Sequence, residues 1–142
     1  MLNHEFIQRK IKLIQEDISR LEKVNLENQE DFLQNQQKQD AVERVLERII
    51  MRALDINTHI VVEQSNPTEK VRGYEDTFHR LADLNILPRE FAKDIAPSAG
   101  LRNRLVYEYD DINVSIIYHS AVKAIKQYSQ YCQHLLNYIE KS

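Results

Sequence analysis

DAVERVLERIIMRALDINTHIVVE, residues 40–63, decides the fold. Its apolar positions Val42, Val45, Leu46, Ile49, Ile50, Ala53, Leu54, Ile56 and Ile60 spread around much of a helical circumference. A helix apolar on so many sides is covered by neighbours, so this one is the expected central member of a helical bundle. Asp40 is placed to cap or open it. Ser65-Asn66-Pro67-Thr68 stops it, because the residue before a proline is pushed out of helical space. Asp55 and His59 make an i,i+4 pair, which reads as a local hydrogen bond or exposed pair before any metal or acid–base role.

Upstream, Ile7, Ile11, Ile14, Ile18 and Leu21 repeat at four, three, four and three, a narrow seam on a first helix from about Asn3 to Asn25. Residues 26–39 are rich in glutamine and asparagine, and read as a connector with one helical turn anchored by Phe32-Leu33. Downstream, Phe78, Leu81 and Leu84 mark a short helix beginning at Tyr74 or Glu75. Leu87-Pro88 starts another, since proline suits a first turn. Pro97 interrupts or kinks that helix by withholding an amide donor, and helix resumes over Ser98–Val106. Asp110-Asp111 are candidate caps for a last helix from Ile112 to about Ile139, with Ile117, Ala121, Ala124, Ile125, Tyr128, Cys132, Leu135 and Ile139 as its apolar side. Tyr118, Tyr128, Tyr131 and Tyr138 read as bundle packing with hydroxyls in water. No segment has a strand's period and no repeat of 20–50 residues recurs. The expected fold is all-α, an antiparallel bundle of about five helices.

At 142 residues the chain suits one domain, 1–142, with a real core. Its formal charge of −3 argues against a generic basic nucleic-acid surface but leaves room for a local cluster such as Arg102 with Arg104. The single cysteine, Cys132, cannot form an internal disulfide and reads as core packing in a reducing compartment. The N-terminus lacks a signal peptide's apolar core, and no apolar run approaches the roughly 20 residues of a membrane span. A cytoplasmic protein is expected. His4, His79, His119 and His134 show no metal-ligand spacing, and two isolated glycines cannot cradle a phosphate, so neither metal nor cofactor is expected.

Chemistry concentrates in residues 99–113, AGLRNRLVYEYDDIN. Arg102 and Tyr109 lie seven apart, about two turns, and share nearly one helical face. Tyr107 follows Arg102 by five, roughly 140° around. For all three to share a site, the helix must loosen after Val106 or a second copy must complete it. Taken alone, these residues also describe an ordinary amphipathic helix end with solvated charges.

Arg102-Asn103-x-x-x-Tyr107-x-Tyr109 resembles the R-N-x-x-x-H-x-Y signature of HEPN-domain proteins of the HepT-like toxin group. The resemblance runs from about Asp40 to Tyr138, taking in Tyr74-x-x-x-Phe78-x-x-Leu81 and Asn85-Ile86-Leu87-Pro88. It implies a metal-independent endoribonuclease acting as the toxin of a toxin–antitoxin pair. Arg102 would hold phosphate, since its fork matches phosphate oxygens and stays charged. Asn103 would orient the backbone or base. A homodimer would join two such sites into a cleft for single-stranded RNA; DNA is not expected.

Tyr107 departs from the pattern. Histidine can exchange protons near neutral pH, whereas a phenol near pKa 10 is a poor general base. The resemblance therefore implies reduced cleavage here, whether a lineage lost the histidine or a single C-to-T transition replaced it. Tyr109 matches the pattern, which implies a partner antitoxin that resembles a minimal nucleotidyltransferase and transfers AMP to this tyrosine. The other readings are a nucleotide- or RNA-binding module that does not cut, and a helical adaptor for the nucleotidyltransferase.

Overall fold

Four asparagines start four of the helices in the computed structural model, which describes residues 2–65, 71–107 and 113–142, and of Arg102, Val106 and Tyr107 the backbone only. Each accepts from a backbone N–H of the first turn, meeting a donor that the helix leaves unpaired. Asn3 takes Phe6 N–H at 3.0 Å and opens α1 (His4–Lys23). Asn28 takes Asp31 N–H at 3.0 Å and opens α2 (Gln29–Gln34). Asn35 takes Lys38 N–H at 3.1 Å and opens α3 (Gln36–Gln64). Asn113 takes Ser115 N–H at 2.8 Å and opens α7 (Val114–Lys141).

Two expected starts are corrected by these caps. The central helix begins one turn before Asp40, because Asn35 outcompetes it as a cap. The last helix is capped by Asn113; Asp110 and Asp111 lie outside the described residues. Between α3 and α7 come α4 (Tyr74–Asp83), α5 (Arg89–Ile95) and α6 (Ser98–Tyr107). Gly73 enters α4 at φ +107°, a region that a side chain would disfavour. Asn85 leaves it at φ 60°, with Ile86 N–H returning to Leu81 O at 2.9 Å. Pro97 separates α5 from α6 instead of bending one helix. The described residues therefore hold seven helical segments, two of them very short, where the pattern suggested about five. None is a strand.

The isoleucine seam of α1 is buried throughout, as are Val42, Leu46, Ile49, Ala53, Ile56 and Ile60 of α3. Burying each large aliphatic chain contributes about 1.5–3 kcal/mol, so the α1–α3–α7 contact dominates cohesion. Lys10 meets Asp55, and Asp17 meets Arg48, so α1 runs antiparallel to α3. His4 near Ser142 and Tyr118 on Leu26 O show α1 antiparallel to α7 as well. The two longest helices, α3 and α7, therefore lie in the same sense.

Polar groups inside this bundle were not legible in the pattern. Asp17 is wholly buried beside Ile14 and Ile18, and accepts from Arg20 (2.7 Å), Arg48 (2.9 Å) and Arg52 (2.6 Å). Burial alone raises its carboxyl, but hydrogen bonds from Arg48 and Arg20 and the charges of Arg48 and Arg52 outweigh that and hold it below the ordinary value. Asn57, also buried, accepts from Tyr131 Oη at 2.6 Å and donates to Thr77 Oγ1 at 3.1 Å, tying α3, α7 and α4 together. Tyr128 and Tyr131 are therefore dry, contrary to the expectation of wet hydroxyls, and burial pushes both phenols up. Asp55 and His59 do not pair with each other. Asp55 binds Lys10 at 2.9 Å, and His59 Nε2 accepts Asn3 N–H at 3.0 Å, because α1 lies against this edge of α3. Cys132 is core packing as expected, its thiol pushed up to about 12 by burial.

Candidate functional site

The signature helix α6 is held from below. Ala99 and Leu105 bury almost completely, one near each end of the helix. Ser98 Oγ donates to Ile95 O at 2.7 Å, which leaves Tyr128 Oη to donate to Ser98 Oγ at 2.5 Å. That relay anchors the start of α6 to both α5 and α7. Its other supports are α3 and α4. A Cβ at Gly100 would stand 3.1 Å from Glu75 Oε1, the far end of an exposed side chain in the first turn of α4. Neither the Ser98–Tyr128 clamp nor the approach of Glu75 to α6 is visible in the motif. The lone glycine beside the signature was the only available hint of the latter.

Arg102, Asn103 and Tyr107 all fall on α6, and Tyr107 is its last residue. Asn103 is exposed. Because helix persists through position 107, Arg102 and Tyr107 are separated by five regular steps, roughly 140° of rotation. Loosening before Tyr107, one of two ways to bring them together, does not occur. Tyr109 lies outside the described residues. Arg104 is half-buried, and with Arg102 it gives the helix two cationic positions in a chain that is acidic overall. Among the described residues no group of three or more His, Cys, Asp or Glu is arranged to hold a metal ion. None of their helices is long and apolar enough to cross a membrane.

Comparisons with known proteins bear on the bundle as a whole. A family model described as ribonuclease HepT-like matches residues 14–135, which takes in α1 beyond its first turns and all of α6. The tRNA nuclease HepT of Aphanizomenon flos-aquae is 35% identical over 133 residues, covering 94% of this chain and 89% of that protein. The mRNA nuclease HepT of Shewanella oneidensis is 27% identical over 128 residues, covering 90% and 94%. Among solved structures, the tri-AMPylated Shewanella oneidensis HEPN toxin in complex with MNT antitoxin superposes with a TM-score of 0.81 at 26% identity, over 96% of this chain and 99% of that one. A family match over residues 14–135, with a relative 35% identical across 94% of the chain, makes this protein a member of the ribonuclease HepT-like HEPN family.

Proposed function

We propose that this chain is the toxin of a toxin–antitoxin pair: a single helical HEPN-like domain, cytoplasmic, built as a metal-independent endoribonuclease whose cleavage is impaired by Tyr107. The observation that carries the reading is the unbroken helix bearing Arg102, Asn103 and Tyr107, in a chain whose relatives are named as tRNA and mRNA nucleases. Breaking RNA through its own 2′-OH needs a proton taken from that hydroxyl, a proton given to the leaving 5′-oxygen, and a cation at the crowded phosphorane. Arg102 supplies the cation and Asn103 orients the strand. Tyr107, a protonated phenol, donates a hydrogen bond but does not serve as base.

The roughly 140° between positions 102 and 107 supports a homodimer, in which each arginine works with position 107 of the other copy. Light scattering of the purified chain is expected to give twice the 16.8 kDa chain mass at micromolar concentration. A monomer there would remove the shared cleft. Arg102→Ala tests the site itself. With a fixed charge aimed at phosphate removed, affinity for single-stranded RNA at low salt is expected to fall about tenfold or more. Equal binding by variant and parent would refute the assignment.

Neutralisation is by AMP transfer from an MNT-type nucleotidyltransferase antitoxin to Tyr109. A tri-AMPylated toxin among the structural neighbours supports this, as does the place of Tyr109 seven residues beyond Arg102 in sequence. Incubated with ATP, Mg²⁺ and its cognate transferase, the chain is expected to gain mass in AMP steps, with the adduct on Tyr109. Tyr109→Phe is expected to abolish the gain. Modification that survives Tyr109→Phe and disappears in Tyr107→Phe would move the acceptor to position 107. Tyr107 itself favours a second reading, a non-catalytic RNA- or nucleotide-binding partner of the transferase.

A further inference from the structure

Between α6 and α7 a groove of about 150 Å³ opens directly beside the signature: Leu101, the residue before Arg102, lines it. Leu46, Ile50 and Ala124, all buried, give it an apolar floor. Ser120, Lys123 and Asp94 stand at its rim. That volume is of the size of one planar heterocycle.

One lining group is polar, buried and fixed in orientation. Gln127 is 7% exposed. Its Nε2 donates to Asp94 Oδ2 at 2.7 Å and to Asp94 O at 3.1 Å, so both amide hydrogens are used. Since both partners are acceptors, the amide cannot be turned over, and Oε1 is the end of the amide that Asp94 does not use, on a residue that lines the groove. No donor among the described residues meets that oxygen. Asp94 keeps a second oxygen, Oδ1, only loosely engaged by Lys123 Nζ at 3.7 Å. The groove is thus lined by two residues that each keep an acceptor, Gln127 and Asp94, and by two that carry donors, Lys123 and Ser120.

We propose that this groove is the subsite for one base of the RNA strand, and that it selects an amino-bearing base, adenine or cytosine. The inference rests on the ribonuclease reading above and names what that site would recognise. An exocyclic amine offers two N–H donors, which match Gln127 Oε1 and Asp94 Oδ1. The adjoining ring nitrogen accepts from Lys123 or Ser120. Uracil would instead bring a keto oxygen toward the Asp94 carboxylate. Leu101 and Ala124 give the base its apolar contact, and the sugar–phosphate backbone leaves the groove toward position 102.

Fluorescence anisotropy with labelled oligo(A), oligo(C) and oligo(U), on the full chain at low salt, tests this. Oligo(A) and oligo(C) are expected to bind about tenfold tighter than oligo(U), the discrimination of one good base contact. Gln127→Leu is expected to reduce that preference to about threefold or less, leaving oligo(U) binding unchanged. Asp94→Ala, at an exposed residue, is expected to do the same and carries the test if Gln127→Leu does not fold. Binding without base preference, or a preference that both variants retain, overturns the subsite while sparing the ribonuclease reading. Absence of binding to all three RNAs overturns both.

Discussion

Tyr107→His is expected to give this chain an RNA-cleaving activity about 10²–10⁴-fold above the parent, the usual contribution of one positioned acid–base group. Protonation is the cause. At pH 7 a phenol holds its proton and cannot accept one from a 2′-OH, whereas an imidazole near pKa 6.5 is divided between both forms. The backbone at position 107 is already helical and continuous with Arg102, so the substitution changes chemistry at a position that stays in place. Cleavage should persist in EDTA, because only side chains are invoked, and expression of the variant should slow growth of the host. Adding Arg102→Ala to Tyr107→His should remove the gain. The measurement is the appearance of labelled RNA fragments on a gel at matched protein concentration. If Tyr107→His binds RNA as the parent does and cuts none, the chain is a binding module.

Asp17→Ala is expected to destabilise the fold by about 3 kcal/mol, the low end for breaking a buried ion pair, and to lower Tm by about 10 °C. Asp17 has no exposed surface and is the common acceptor for Arg20, Arg48 and Arg52. Without it, three guanidiniums face one another with nothing between them. The loss stays near the low end because the arginine side chains are partly exposed, Arg20 at 56%, and can turn to water. The pH dependence has a definite sign. The folded carboxyl lies below its ordinary value, so the folded state binds its proton less readily than the unfolded chain. The stability it contributes is present above the unfolded value of about 3.9 and is lost as pH falls through the lower folded value. Acid unfolding of Asp17→Asn should lack that component. A variant as stable as the parent at pH 7, measured by thermal melting, would contradict the role given to this cluster.

By itself the sequence determined the elements that depend on spacing. The seam Ile7–Leu21 and the broad apolar surface of residues 42–60 are both buried as read, because helical periodicity and burial are one geometric fact. Pro97 separates two helices and residues 98–107 form the signature helix, since both follow from local backbone chemistry. The family was legible too, because a signature of residue types at set spacings can be compared without knowing the fold, and the family match bears that resemblance out.

Tertiary structure alone decided the polar interior. Asp17 occupies a seam position like any charged residue on a helix edge. That it is buried depends on Arg48 and Arg52 arriving from α3, thirty-one and thirty-five residues later. Gln127 and Asp94 likewise stand out in neither of their own helices, and become a hydrogen-bonded pair only when α5 and α7 meet beside Leu101. Helix starts fell between the two: Asn35 and Asn113 displaced Asp40 and Asp110-Asp111 as caps, since several side chains can cap a helix and packing selects where the first turn sits. A pattern along one helix records which side faces inward, and leaves open which distant side chain it will meet there.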